Sequence, residues 1–377
     1  MGSFIIRISF CFLLSLSCSF RPHDTNNPQI IGISKIDDEV DVSEFLRPVI
    51  KEIETDKPLN ITRIRWSENN YLYLANDADK KELLVYDLSI DKLIKQIEFE
   101  ELKINPVDFS VSYPFLYILS TRDEVHVYDL QKFSLVSSAK LDDNKFTEIE
   151  TSADGFLFLK KDNLVGIEPG TKVFYRIQIL DLNTYRNTNH FDPYVIQNES
   201  NTILSNGQSI LKQEKTIFYI KPFCDTVFYF NASNGNFQLY KYIDFKNKVN
   251  YAKYAHIKNE FERMKMIMEN KKYNTGIFFF RENDRFQVFQ FIADGQPAFY
   301  YHDKISGRKF CTKKINHSLG RNLPFPELIT PDLLIGVLNE NNLLKNSFEP
   351  LDTSLNNLKR KITYEGKNFL FVYYPIQ

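Results

Sequence analysis

From Tyr71 to Leu141 short apolar runs alternate with polar breaks in one pattern written twice. The first copy reads YLYLAN, ELLVYDL, LIKQIEF and the second FLYILS, EVHVYDL, SLVSSAKL. Runs this short, rich in aromatic and β-branched residues and bounded by Asn, Asp and Ser, predict β-strands joined by tight turns. The tripeptide Tyr-Asp-Leu marks both copies, at Tyr86 to Leu88 and Tyr128 to Leu130, 42 residues apart. That spacing matches one four-stranded blade of a circular sheet array.

The pattern continues on both sides. Ahead of the first copy, ITRIRW supplies an opening strand. A third unit runs from TEIET through the Asp154-Gly155 turn and FLFLK to VFYRIQILDL, where Asp181 takes the place of Asp129. A fourth comprises SILKQ, TIFYIK, TVFYFN and FQLYKYIDF with an Asn234-Gly235 hairpin, and a fifth IFFFRE, RFQVFQFIADG, PAFYYHD and KFCTKKI. The tail gives LLIGVLN and NFLFVYY. An open first or last blade would expose unpaired backbone groups, so PVIKEIE (Pro48 to Glu54) is expected to add a strand to the C-terminal blade. The expectation is an all-β, six-bladed β-propeller with four-stranded antiparallel blades near residues 58–100, 105–141, 145–195, 205–245, 272–316 and 325–377 plus 48–54. One stretch breaks the period: between Tyr251 and Lys272, Ile257, Phe261, Met264 and Met268 recur at helical spacing and predict an inter-blade helix.

The first 29 residues follow another logic. Arg7 precedes an apolar run from Ile8 to Leu16 that is too short to span a bilayer, so residues 1–17 read as an export signal. Ser15 and Ser17 stand at −3 and −1 of a cut before Cys18, which suits ordinary signal peptidase, and a Cys after a small residue is also what lipoprotein processing needs. Lipidation of Cys18 is the first reading, plain secretion the second and an uncleaved anchor the third. Residues 18–29 then form a polar spacer before one domain, 30–377. The cell envelope, through a lipid anchor alone, is the expected address.

Composition narrows the function classes. Aromatics make up 15% of the chain, with 33 Phe and 21 Tyr, which suits many short strands. Net charge is −1 with both signs interspersed, so no basic field calls for nucleic acid. His23, His126, His190, His256, His302 and His317 are scattered, and neither HExxH, G-x-S-x-G, G-x-G-x-x-G nor a P-loop occurs. No catalytic residue, metal ligand or cofactor is therefore assigned, and the ligand-binding residues stay unknown. Asp87, Asp129 and Asp181 read as turn residues that accept backbone N–H groups, with a ring of ligands as the rival reading. The acidic residues Asp37, Asp38, Glu39 and Asp41 read as a solvated turn, Cys224 and Cys311 as buried thiols, and Trp66 as packing, with sugar stacking as its alternative.

Several segments carry a family resemblance: PVIKEIETDKPLNITRI, YNTGIFFFRENDRFQVFQF, YYHDKISGRKFC, GRNLPFPELITPDLLIGVL and KNFLFVYYPIQ. Through them the chain resembles the six-bladed β-propeller lipoproteins of Bacteroidota, related to TolB-like and NHL-repeat propellers. The resemblance implies an exported propeller and supplies no catalytic residue. Two functions are carried forward: a monomeric, non-enzymatic binding or scaffolding module for a protein or glycan partner, and a hydrolase or lyase with its site in the funnel. A cluster of His, Asp, Glu or Arg from at least three blades around one pocket would favour the second; a funnel lined by Phe, Tyr and neutral side chains would remove it.

Overall fold

A computed structural model describes residues 28–376 apart from 56–58, 68, 78–80, 142–145, 162–172, 196–207, 222–223, 255, 258–259, 271, 339–348, 351–355 and 366. The export signal, Cys11, Cys18, His23 and nearly all of the spacer lie outside the described residues.

Five sheets follow the repeat in chain order. The first is built of Ile61–Ser67, Tyr71–Asp77, Lys81–Asp87 and Lys92–Glu98, and the second of Pro106–Ser112, Phe115–Ser120, Glu124–Asp129 and Ser134–Lys140. The third runs from Phe146–Thr151 to Asn187–Val195, the fourth from Ile210–Gln213 to Asn236–Phe245, and the fifth from Asn274–Glu282 to Lys309–Thr312. Within each, successive strands pair antiparallel. Burial follows position in the sheet. The third strand Lys81–Asp87 is buried on both faces beyond its first residue, whereas the fourth strand of the second sheet, Ser134–Lys140, is exposed almost throughout. That is why the third strands are apolar runs such as LLVY while the outer strands carry Lys and Ser.

The cores lie between sheets. Tyr73, Leu83 and Val85 of the first sheet meet Phe109, Leu116 and Ile118 of the second, and Phe218 and Ile243 of the fourth meet Phe280 and Phe289 of the fifth. Leu72, Leu74 and Leu84 of the first sheet pack on Ile335, Val337 and Leu370 of a closing sheet. That closing sheet runs Leu328–Ile329, Leu334–Leu338, Phe369–Pro375, Leu46–Glu52, with Pro48 opposite Tyr373, so the two ends of the chain share one sheet. The opening strands Ile61–Ser67, Pro106–Ser112, Phe146–Thr151, Ile210–Gln213, Asn274–Glu282 and Leu328–Ile329 touch in that order and the last touches the first, which closes a ring around a central channel. An all-β propeller results.

The blade count needs correction: the described residues hold seven sheets, not six. The additional sheet joins Val40–Asp41, Ile315–His317, Gly320–Leu323 and Glu349–Pro350. Its Ile315 and Leu323 are wedged into the core between the fifth and closing sheets. These strands are two to four residues long and come from distant parts of the chain, too short for an alternating pattern to show. Ile315 therefore reads as the end of the fifth blade, and Gly320–Leu323 falls between the expected fifth and sixth blades. The four-strand expectation also fails in the fourth sheet, where Gln29–Ile33 adds a fifth, parallel strand beside Asn236–Phe245. Gln29, placed by sequence in the spacer, is already opposite Lys241. From there the N-terminal segment bridges Thr312 of the fifth sheet at Asp37, joins the wedge sheet at Val40 and enters the closing sheet at Leu46, so it straps four sheets together.

Two α-helices are described, α1 at Glu260–Glu269 and α2 at Asn356–Glu365. In α1 the buried residue is Ile267, packed near Val249, Tyr254 and Tyr273; the side chains of Phe261, Met264 and Met268 lie outside the described set. In α2 Leu358 and Ile362, one turn apart, enter the core of the closing sheet.

Candidate functional site

A cavity of about 260 Å³ occupies one end of the central channel. All six ring strands line it, each near its C-terminal end: Arg65 to Ser67, Val111 and Ser112, Glu150, Lys212 and Gln213, Arg281, and Leu328 with Ile329. Asn69, Tyr113, Ala153, Glu214 and Lys215, from the turns that follow four of these strands, complete the lining. Charged groups from four sheets therefore converge here, as the enzyme alternative required. A second cavity, about 360 Å³, lies between the first and second sheets beside Arg63 and Asp108.

The polar side chains reach the channel because the ring strands alternate. TRIRW, DFSVS and EIET place a charged or hydroxyl residue at every second position. On the second strand, Asp108 accepts from the Ile149 N–H of the next sheet at 2.9 Å and pairs with Arg63. Its equivalent on the third, Glu148, accepts from the Ser209 and Ile210 N–H groups of the fourth at 2.7 and 3.0 Å, and Lys160 donates to it at 2.6 Å. Lys212 and Gln213 bridge the channel itself, donating to the carbonyls of Val111 at 2.9 Å and Ile329 at 3.4 Å.

Two residues further along, the same face enters the cavity. Glu150 accepts from Ser110 Oγ and from the Thr151 N–H at 3.2 Å. Arg65 lies 3.5 Å from Asp108 through Nη2 and 3.5 Å from Glu150 through Nε, beyond good hydrogen-bond length for the latter contact, and its guanidinium sits over the Phe109 ring. Arg281 is different. It is 2% exposed, its one hydrogen bond among the described residues is a long 3.4 Å donation from Nη1 to the Phe280 carbonyl, and its Nε holds none there. Burial and then the neighbouring Arg65 push its pKa down to about 9, against the attraction of Glu150 and Glu327.

The residues singled out from sequence fall elsewhere, with one exception. Asp87, Asp129 and Asp181 each accept N–H groups two and three residues on: Ser89 and Ile90, Gln131 and Lys132, Asn183 and Thr184. The Ser89 hydroxyl and then the Ser89 and Ile90 N–H groups hold Asp87 below its ordinary range, the Lys132 and Gln131 N–H groups hold Asp129 there, and the Thr184 N–H and hydroxyl hold Asp181 there. Asp303 in the fifth sheet makes the same turn, and Asn231 in the fourth a shorter form of it, so this is a blade device. Asp41 likewise accepts from the Ser43 N–H, while Asp38 and Glu39 contact Lys313 and Asn316. Cys224 and Cys311 are free thiols whose pKa values burial pushes up to about 11 and about 12. His126 contacts Ser138 and His190 contacts Asn187, and neither lines the cavity. Among the described residues no group of three His, Cys, Asp or Glu side chains is placed to hold a metal. The exception is Trp66, which packs against the core between the first and closing sheets and also lines the cavity.

Comparison with known proteins adds fold and nothing finer. No protein-family model and no curated protein matches the chain. Among solved structures, a Bacteroides fragilis protein described as exported superposes with a TM-score of 0.65 at 15% identity, covering 92% of this chain and 99% of its own. The fold is a β-propeller. The WD40 repeats of RRP9 give 0.45 at 7% identity over 87% and 97% of the two chains. The extracellular domain of a one-component system protein from B. thetaiotaomicron gives 0.36 at 10% over 71% and 29%. Among the described residues no helix is long and apolar enough to cross a membrane.

Proposed function

We propose that this protein is an exported propeller, tethered through a lipid on Cys18, that acts as a monomeric, non-enzymatic binding or scaffolding module for a protein or glycan partner engaged at the open end of the channel. The observation that carries the reading is the charged cavity where all six ring strands end, with Tyr113 and Lys215 exposed at its rim. Rigid sheets with variable turns suit recognition at such a mouth. The exported neighbour and the sequence of residues 1–18 support the address. Immobilised protein screened on a glycan array and against envelope extracts should retain a partner that the Tyr113→Ala/Lys215→Ala variant loses; retention unchanged by that variant rejects the mouth. Mass spectrometry of the mature N-terminus from membranes should find an acylated Cys18, and an unmodified Cys18 on soluble protein rejects the tether.

A second reading, a hydrolase or lyase in the channel, is favoured by the convergence of Arg65, Glu150, Lys212 and Arg281 from four sheets. Within the described lining Glu150 and Glu214 are the carboxylates available for proton transfer. Turnover of a polysaccharide that Glu150→Gln abolishes without loss of binding would establish it.

A further inference from the structure

We propose that the channel cavity holds the acidic end of a saccharide, one hexuronate-sized unit whose carboxylate seats against Arg281 and Arg65. The inference rests on the binding reading above and names its ligand class. Its first support is an imbalance of donors. Among the described residues Arg281 Nε, Arg65 Nε and Nη1, and Trp66 Nε1 are buried without a hydrogen bond, and all three residues line the cavity. Facing them, two buried lining atoms that can accept are in the same state among the described residues, Glu150 Oε2 and Ser67 Oγ, the latter a donor as well. Each buried polar atom left unpaired costs on the order of 1–3 kcal/mol, so donors in excess select a ligand rich in acceptors. A carboxylate brings two oxygens and about four lone-pair directions, and a guanidinium fork matches it in plane.

Charge points the same way. Arg65, Arg281, Lys212 and Lys215 face Glu150 and Glu214 around the cavity, and Arg281 makes no ion pair among the described residues. Arg65, by contrast, is already engaged by Asp108 and Glu150, so Arg281 is the group an incoming anion would meet. The walls favour a sugar over an acidic peptide. At about 260 Å³ the cavity falls below the roughly 300–1,000 Å³ of pockets for larger ligands, which leaves room for one ring. Half-buried Trp66 and Tyr113, the latter 43% exposed at the rim, offer aromatic surfaces on which a pyranose can rest.

The test is isothermal titration of the full mature chain with glucuronate and galacturonate, with glucose and galactose as neutral counterparts and oligoglutamate and inorganic phosphate as other anions. A uronate should bind at least about tenfold more tightly than its neutral hexose and weaken with added salt. Arg281→Gln should lose about tenfold or more, and Tyr113→Ala should weaken binding while keeping the preference for acid. Equal binding of uronate and hexose, or no effect of Arg281→Gln, overturns the acidic site but leaves the channel as a binding site if Tyr113→Ala still weakens it. Oligoglutamate or phosphate binding without uronate overturns the saccharide alone. No binding of any probe, with a partner still captured at the mouth, overturns this inference; no partner either overturns both. If Arg281→Gln fails to fold, the salt dependence and the acid-to-neutral ratio of the wild-type chain decide.

Discussion

The contact between Lys241 and Glu282 joins the fourth sheet to the fifth, and its removal should show how the ring is held. Lys241 is 1% exposed and Glu282 7%. The ammonium lies 2.6 Å from Oε2 and 2.7 Å from Oε1 of the carboxylate, which also receives Lys304 at 2.7 Å and Gln287 at 3.1 Å. Burial pushes the Lys241 pKa down and Glu282 pulls it back up, while Glu282, despite its own burial, is held below its ordinary value by Lys241 and Lys304. At about 3 Å and an effective dielectric near 20 the attraction is on the order of 5 kcal/mol, part of which offsets desolvation of the two ions. Glu282→Gln keeps one acceptor but leaves Lys241 charged inside the protein. The expected loss is about 3–5 kcal/mol, read as a lower urea midpoint and a melting temperature down by roughly 5–10 °C. Lys241→Met/Glu282→Gln should recover to within about 1–2 kcal/mol of wild type, because no buried charge remains and Lys304, 31% exposed in its side chain, can turn to water. With its carboxyl lowered in the folded state, Glu282 contributes at neutral pH, and that contribution is lost as pH falls below its ordinary value of 4.5. A Glu282→Gln protein within about 1 kcal/mol of wild type, or a double variant less stable than Glu282→Gln, would refute the reasoning.

Three further outcomes follow from the same geometry. Burial pushes the Asp225 carboxyl up to about 6, against the N–H of Gly276, so wild-type stability should fall as pH rises from about 4 through 6; Asp225→Asn should flatten that slope and gain roughly 2–3 kcal/mol at pH 8, measured as urea midpoints at pH 4.5 and 8. Asp129→Ala should cost about 1 kcal/mol by freeing the Gln131 and Lys132 N–H groups, while Asp129→Asn stays near wild type; equal losses would contradict the turn assignment. Deletion through Ile33 strips an edge strand and should leave a folded monomer by size-exclusion chromatography, whereas deletion through Glu52 bares the edge of Phe369–Pro375 and should aggregate.

Legibility from sequence tracked the length of each pattern. All but two strands of the first five sheets are five residues or longer, enough for an alternating or continuous apolar pattern to be read directly, and the Asp turns could be read as well because their chemistry is local. The wedge sheet could not be read, because two-residue strands such as Val40–Asp41 and Glu349–Pro350 exist only through partners more than two hundred residues or some thirty residues away. The parallel strand Gln29–Ile33 escaped for a related reason: its partner Lys241 to Phe245 belongs to a blade already complete with four strands. Arg65, Glu150, Lys212 and Arg281 stood in segments correctly read as strands, but their side chains were not assigned to the channel, and Leu328–Ile329 was not read as a strand. A signal existed in the charged residues at alternate positions of the opening strands, Arg63 and Arg65, Glu148 and Glu150.

That alternation explains why no motif marks the site. One face of the second and third opening strands does two jobs at positions two apart. Asp108 and Glu148 reach forward to backbone N–H groups of the next sheet and hold the ring. Two residues on, Ser110 and Glu150 turn toward the cavity end. A site assembled this way takes one to four residues from each repeat, so its members are spread from Arg65 to Ile329 and form no single motif. It also separates fold from specificity, since the ring-holding residues can stay fixed while the cavity residues vary. Arg281 is where that separation is sharpest. It accepts the cost of full burial, bonds only weakly to the Phe280 carbonyl, and makes no contact that ties one sheet to the next among its described hydrogen bonds and ion pairs. A charge held there without a part in closing the ring is best explained by what it meets in the channel.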